Sequence, residues 1–507
     1  MKKASAVSLD STIITVRKRK ISLEHLLLAI ILLFGLFLRL YELGSVPFWV
    51  DESISSIASL NILEKGLPIL DSGYYYGGAT VFHYTQALSF LIFGTNDFAA
   101  RLPSVLFGML TIVLAYFIGK EYSRTGGIMA AALCAIFFLE VSYSRQARFY
   151  QLFQLAFFAT IYFIYRAFKA KDDKKASTRS IYTAALSFII AVDTQIGGVV
   201  LAPLFAWYFI SSAKGSYADK LKSITNNKGI LILLILISAI TAYNVWEAMH
   251  MSVGPLDIIL NRVITYFSDI TIRKHIIPFA VAGLIWSFLK NRTPTSLVLL
   301  PCVLLAIAVL MLDVYATRYM YFLIFPLVAF TSLLFAFLYE RFGRIMLLPL
   351  AFLILVPSNL FFPATFSNAI LPLGLDYTDI SIPRIDLKSL PASLLAELKD
   401  PSVVIVTYFS PPVEWYIKKP TYVLPFSMTG RGSDELSYNS SGTFVDRYSG
   451  VPIINQTNQF PPRPYYLIEQ SFAISKLKPD QVQLLNAAKG NYTSVYENNE
   501  VNIYSCR

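Results

Sequence analysis

Two carboxylates stand side by side at Asp51-Glu52, directly after the apolar run Pro47-Phe48-Trp49-Val50. Adjacent acids opening a helix serve the helix dipole, and that plain role competes with a chemical one. Phe48 and Trp49 would strip water from a neighbouring carboxylate and raise its basicity, which is what a general base requires. Arginines form the second group. Arg145 and Arg148 lie three apart, on one helical side, in Ser144-Arg145-Gln146-Ala147-Arg148-Phe149-Tyr150-Gln151. Arg318 follows Asp313-Val314-Tyr315-Ala316-Thr317, and Arg101 precedes Leu102-Pro103-Ser104. Snorkelling to headgroups or anchoring at an interface accounts for such arginines; so does bidentate binding of a phosphate. His83, Tyr150 and Asp193 are candidates to line the same cavity. His83, His250 or His275 could join Asp51 or Glu52 around a divalent metal, but no spacing demands it, so a divalent metal ion is the one cofactor to consider and its site stays unknown. Cys134 and Cys302 sit in apolar runs and Cys506 is next to the last residue, so neither a disulfide framework nor a zinc spacing is present.

The elements that must position these residues read as membrane spans. The 507 residues are 55% hydrophobic and only 15% charged, against about a quarter charged in an ordinary soluble chain. Apolar runs recur from Ser22 to Phe362 and stop at Pro363. This predicts a polytopic α-helical membrane protein with a C-terminal external α/β domain: an N-terminal cytoplasmic segment (1–20), a transmembrane domain (21–362) with a first external loop (41–101), and an external domain (363–507). About eleven spans are expected: Leu23–Leu40, Leu102–Ile118, Ile128–Tyr143, Phe153–Phe168, Ile181–Val192, Gly197–Ile210, Ile230–Trp246, Ile276–Leu289, Ser296–Leu312, Met320–Leu338 and Ile345–Phe362. The first span follows Arg17-Lys18-Arg19-Lys20 and ends at Arg39-Leu40-Tyr41-Glu42, without the small residues of a cleavage site, and reads as an uncleaved helix. With the N-terminus inside, the inner loops hold about 22 Lys and Arg and the short outer loops about eight. The net charge of +11 therefore belongs to cytoplasmic loops, not to a nucleic-acid face. Within the first outer loop, Asp51–Lys65 and Val81–Gly94 read as helices lying along the membrane surface. In the tail, Val403–Tyr408, Tyr465–Glu469, Thr493–Glu497 and Val501–Tyr504 read as strands, and Leu390–Lys399 and Asp480–Ala488 as helices.

This topology puts Asp51, Glu52, Arg101, Arg145, Arg148 and Arg318 at one outer face. Charged groups at that level need a reason. A sugar bonded to a lipid phosphate supplies one. An acceptor hydroxyl needs a base, and the departing phosphate, already anionic, needs cations rather than an acid. A glycosidase would need a second carboxyl as acid. The competing class is a transporter or lipid flippase, but no internal repeat is clear and the charged residues cluster at one face.

Four stretches in order carry a resemblance: Leu38-Arg39-Leu40 with Pro47-Phe48-Trp49-Val50-Asp51-Glu52; Phe93-Gly94 with Phe98-Ala99-Ala100-Arg101-Leu102-Pro103-Ser104; Tyr143 to Tyr150; and Ala316-Thr317-Arg318-Tyr319. From Leu36 to Phe362 the chain resembles the GT-C membrane glycosyltransferases, in the branch of the dolichyl-phosphate-mannose protein mannosyltransferases and the lipid A aminoarabinose transferases. The resemblance implies a polyprenyl-phosphate sugar donor, a protein or glycolipid acceptor, an outward-facing site in the cell membrane, Asp51 as base and Arg148 and Arg318 on the donor phosphate. The stretch Gly77-Gly78-Ala79-Thr80-Val81-Phe82-His83-Tyr84 departs from the Pro-containing Lys or His motif common in related sequences, which leaves the acceptor class open.

The topology is tested with single cysteines at Ile92 and Asp172. In intact cells a membrane-impermeant maleimide should modify position 92 and reach position 172 only after permeabilisation. Labelling of position 172 from outside would overturn it.

Overall fold

The computed structural model of the chain describes residues 12–16, 19–212, 228–249, 271–311, 317–349, 385–425, 436–438, 444–474, 477 and 479–506. An antiparallel pair, β1 (Thr12–Val16) and β2 (Arg19–Ser22), precedes the first long helix, α1 (Leu23–Leu40). The polar N-terminal segment gave no signal for that pair. The helices α2 (Val50–Lys65), α3 (Thr80–Phe93) and α4 (Asp97–Lys120) follow. Next come α5 (Arg124–Ile136), α6 (Phe138–Tyr143), α7 (Tyr150–Lys169) and α8 (Lys174–Thr194). The helical series closes with α9 (Ala202–Ser212), α10 (Lys228–Met249), α11 (Thr271–Lys290), α12 (Arg292–Met311) and α13 (Ile324–Phe342).

The chain forms two compact units, and sequence order does not separate them. One comprises Met1–Leu43, Gly78–Phe82 and Ser104–Asp379; the other comprises Gly44–Gly77, His83–Pro103 and Ile380–Arg507. The first unit is the membrane part. Among the described residues four helices are long and apolar enough to cross a bilayer, Leu23–Leu40, Asp97–Lys120, Arg292–Leu310 and Arg318–Phe342, with shorter apolar helices at Arg124–Ile136, Ile196–Ser211 and Ile276–Lys290. Leu33 is 68% exposed and Leu289 72% exposed, an apolar surface that suits lipid rather than water. The chain is an integral membrane protein.

Several expected spans change shape. The run Ile128–Tyr143 breaks at Phe137, whose backbone is extended (ψ 124°), into α5 and α6. The runs beginning at Gly197 and Met320 open on 3₁₀ turns, Ile196–Leu201 and Thr317–Leu323. The short apolar run Ile181–Val192 belongs to a 21-residue helix, because Asp173 caps its start by accepting the backbone N–H groups of Lys175 and Ala176, each at 3.1 Å. Of the last expected span, Ile345–Phe362, all beyond residue 349 lies outside the described residues. Helix packing depends on small residues. A Cβ built on Gly283 of α11 would run into the Phe330 carbonyl of α13, and one on Gly119 would run into the Gly126 carbonyl.

The second unit holds a five-stranded mixed sheet. Its strands are β3 (Ile405–Thr407), β4 (Tyr422–Val423), β7 (Tyr465–Gln470), β8 (Tyr492–Glu497) and β9 (Val501–Cys506), in the order β4-β3-β7-β9-β8. β3 runs parallel to β4 and β7; β9 runs antiparallel to β7 and β8. A separate antiparallel pair is β5 (Leu436–Tyr438) with β6 (Phe444–Asp446). Helices α14 (Ala392–Lys399), α15 (Ser410–Tyr416) and α16 (Pro479–Lys489) accompany the sheet, with one further helical turn at Ser471–Ile474. The core joins Ile405, Val406, Leu467, Ile468 and Ile503 from the strands with Val413 of α15 and with Val50, Ile54, Ile57 and Ala58 of α2. The stripe of α2 expected to lie on the membrane surface is therefore core of the second unit. α3 does expose an apolar face, with Leu88, Leu91 and Ile92 at 53%, 71% and 62%, in keeping with a surface helix.

Burial pushes the Glu414 carboxyl up to about 7, and the nearby Asp71 carboxylate adds to the rise while Lys419 opposes it. A folded-state pKa above the unfolded value means that the folded chain binds the extra proton between about pH 4.5 and 7. Stability of this unit should therefore fall as pH rises through that window. Glu414→Gln should flatten the decline in apparent Tm between pH 5 and pH 8; an unchanged slope would rule Glu414 out as its source.

Candidate functional site

The acidic pair opens α2, and its two members have different surroundings. Glu52 is 2% exposed and takes a bidentate pair of hydrogen bonds from Arg101, Nε to Oε1 at 2.8 Å and Nη2 to Oε2 at 2.9 Å. Arg101 also donates to the carbonyls of Val46 (2.9 Å) and Pro47 (3.4 Å), and its guanidinium lies 4.9 Å from the centre of the Phe48 ring. A fork matched to a carboxylate in this way holds both partners in one geometry. Asp51, one position earlier, stays partly exposed. Arg101, expected on a phosphate, is committed to Glu52.

His83 is fully buried. Its Nδ1 is 3.1 Å from Ser59 Oγ, which donates to Gln86 Oε1 at 2.6 Å, and its ring meets Tyr76 edge-on. Among the described residues no group of three or more His, Cys, Asp or Glu is placed to hold a metal ion. His250 and the side chain of His275 lie outside the described residues.

The remaining arginines belong to the membrane unit. Arg145 donates to the carbonyls of Leu38 (2.7 Å), Arg39 (3.4 Å) and Glu42 (3.3 Å), which closes the C-terminal end of α1. Arg148, 6% exposed, stacks its guanidinium 4.4 Å from the Phe149 ring and 5.6 Å from the Tyr150 ring. Arg318 lies 5.3 Å from the Tyr319 ring. Tyr150 packs edge-on against Tyr143. Asp193 holds the start of α3: its carbonyl accepts the Ala79 N–H at 2.6 Å and its Oδ2 the Val81 N–H at 3.3 Å.

A polar network passed over by sequence reasoning ties these segments together. Glu140 of α6 accepts the Tyr321 hydroxyl at 2.8 Å on Oε2 and the Gln154 amide at 3.0 Å on Oε1. Gln151 donates to Gln154 Oε1 (3.1 Å) and to Thr111 Oγ1 (2.9 Å). Arg39 of α1, fully buried, donates to Ser144 Oγ (3.1 Å) and to the carbonyls of Gly35 (3.1 Å), Ala135 (2.8 Å) and Cys134 (3.2 Å). Tyr143 and Tyr321 stack at 4.0 Å. The network thus fixes both the turn bearing Arg145 and Arg148 and the 3₁₀ turn bearing Arg318. A signal was there to find. Glu140 interrupts the run Ile128–Tyr143, and an acid inside an apolar span calls for partners.

The two acids should respond differently to removal of their charge. Glu52→Gln leaves Arg101 buried without its counter-ion, a change that costs about 3–5 kcal/mol and should lower the apparent Tm markedly. Asp51→Asn, at a partly exposed position, should lower the Tm less. Equal effects on the two would overturn this division.

Comparison with known proteins places the chain. Residues 78–243 match the family model of the dolichyl-phosphate-mannose-protein mannosyltransferases. An uncharacterised protein of Aquifex aeolicus (strain VF5) is 33% identical over 116 residues, which are 22% of this chain and 27% of that relative, so the chain matches about a quarter of the relative's length. The fold is similar to that of ArnT from Cupriavidus metallidurans bound to undecaprenyl phosphate, with a TM-score of 0.58 and 12% identity over 96% of this chain and 97% of that one. It is also similar to the oligosaccharyltransferase of Archaeoglobus fulgidus tethered to an acceptor peptide containing the NVT sequon, with a TM-score of 0.54 and 12% identity over 96% and 74% of the two chains. The helical membrane unit, the sheet-bearing C-terminal unit and these likenesses agree: the chain has the fold of the GT-C membrane glycosyltransferases.

Proposed function

We propose that the protein is an inverting membrane glycosyltransferase that moves a sugar from a polyprenyl phosphate, dolichyl or undecaprenyl, to an acceptor hydroxyl at the outer face of the cell membrane. The observation that carries this reading is the unequal pair at the head of α2. Glu52 is buried on Arg101, while its neighbour Asp51 is partly exposed. A base has to be reachable, and a carboxylate held by a buried guanidinium is a poor one. Asp51 takes the proton of the acceptor hydroxyl as the hydroxyl oxygen bonds to the anomeric carbon. The bond from that carbon to the phosphate oxygen breaks with its electron pair, and polyprenyl phosphate leaves with the added charge. The configuration at the anomeric carbon inverts.

Arg148 and Arg318 are assigned to the donor phosphate. Stacking on Phe149, Tyr150 and Tyr319 fixes their planes, and preset cations are what a developing phosphate charge requires. Arg101 and Arg145 are engaged by Glu52 and by the end of α1, so they act through structure in this reading. A likeness to proteins whose structures hold undecaprenyl phosphate or dolichol phosphate supports the donor class. The acceptor, protein or glycolipid, is left open by the stretch Gly77 to Tyr84, which lacks the Pro-containing motif common in related sequences. A divalent metal, if the reaction uses one, would draw on the acidic pair and the outer histidines; no step above depends on it.

The test is reconstitution of the full chain in liposomes with undecaprenyl-phosphate mannose and dolichyl-phosphate mannose, each with peptide and glycolipid acceptors, following loss of the lipid-linked sugar. Asp51→Asn should lower turnover by about 10²- to 10⁴-fold with the fold retained. Arg148→Ala and Arg318→Ala should raise the donor KM. Equal turnover by wild type and Asp51→Asn would overturn the base assignment, and movement of a solute or lipid across the bilayer without glycosyl transfer would favour a transporter.

A further inference from the structure

The external domain touches the acidic pair through a short chain of contacts within the second unit. At the head of α4, Asp97 is 7% exposed and accepts three hydrogen bonds: from Trp415 Nε1 at 2.9 Å, the Tyr416 hydroxyl at 3.0 Å and Lys388 Nζ at 2.9 Å. All three donors come from the C-terminal part of the chain. Tyr416 has a second bond. Its oxygen accepts the backbone N–H of Phe48 at 2.7 Å. Phe48 stacks on Trp415 with ring centres 5.1 Å apart and carries the Arg101 guanidinium on its other contact, and Arg101 grips Glu52. Lys388 also donates to the Gly44 carbonyl. Burial and the Asp97 carboxylate push the Tyr416 phenol far above its ordinary range, so the hydroxyl keeps its proton and can donate to Asp97 while accepting from Phe48.

These contacts fall on the residues that decide where α2 begins. Trp49, the residue before the helix, has an extended backbone and no side chain caps the helix start. The grip on Phe48 from one side and on Glu52 from the other holds the direction in which the chain enters α2, where Asp51 lies in the first turn. Building the α2 stripe into the domain core serves the same end.

We propose that Trp415 and Tyr416 of the external domain are positioning residues for Asp51, acting through Phe48, Asp97 and the Arg101–Glu52 pair. The proposal rests on Asp51 being the base. It gives the C-terminal domain a part in the reaction that needs no contact with either substrate.

The experiment is a double-mutant cycle on the full reconstituted chain, with undecaprenyl-phosphate mannose as the donor probe. A second readout needs no donor: the rate at which a water-soluble carbodiimide and glycine ethyl ester modify Asp51, mapped by mass spectrometry. Tyr416→Phe removes one oxygen and retains the ring. It should lower kcat by about 10- to 100-fold, the cost of a misplacement near 1 Å, with the donor KM unchanged. In an Asp51→Asn background the same substitution should have no further effect. The Asp51 modification rate should change severalfold in Tyr416→Phe and in Trp415→Phe. Wild-type turnover in Tyr416→Phe beside an inactive Asp51→Asn would overturn this inference and spare the proposed base. Multiplying effects in the double variant, or an unaltered modification rate in both external-domain variants, would also overturn it. Full activity of Asp51→Asn would instead overturn the base assignment on which it stands.

Discussion

An ionised side chain in a protein surrounded by lipid has to be answered by a partner, because the cost of leaving it alone exceeds what a fold can spare. That constraint organises both units. In the membrane unit a fully buried arginine, Arg39, is satisfied by Ser144 and three backbone carbonyls, and a fully buried acid, Glu140, by a tyrosine and a glutamine. In the other unit Arg101 and Glu52 answer each other. None of these groups is placed by packing alone. Each fixes several segments at once, since a charged hydrogen bond is directional where an apolar contact is not.

The same constraint explains how residues of like type come to differ in role. The four arginines expected at one face differ in their surroundings: Arg101 meets a carboxylate and Arg145 the carbonyls that end α1. Arg148 and Arg318 are set on aromatic rings. Sequence position says that a cation sits at a membrane face. It does not say what is across from it.

Legibility followed the range of the interactions. The helices of the first outer loop were readable from local pattern, and so were β7, β8, β9, α14 and α16 of the tail, to within a few residues at each end, because alternation and capping are local signals. The break at Phe137 was not readable, since an apolar run looks the same whether or not a helix turns inside it. The helix α15, seven residues long and bearing two prolines, gave no periodic signal at all. Nor did the sequence reveal that α2 shares a core with β3 and β9. Its apolar stripe was plain, but a stripe names no partner, and lipid and protein satisfy it equally well on paper. Of the site, the acidic pair and its apolar lead-in were legible. The inequality of the two acids was not, because it depends on an arginine about 50 residues away.

The shared core of α2 and the tail has a consequence for synthesis. The segments of the first loop that belong to the second unit end at Pro103, and its remaining part begins at Ile380, so roughly 280 residues are made in between. At a translation rate of about 5–20 residues per second, Val50, Ile54 and Ile57 wait some tens of seconds for the strands that will cover them. Through that interval their stripe is an open apolar surface beside a membrane. The order of assembly is thus written into a core whose halves lie far apart on the ribosome's schedule.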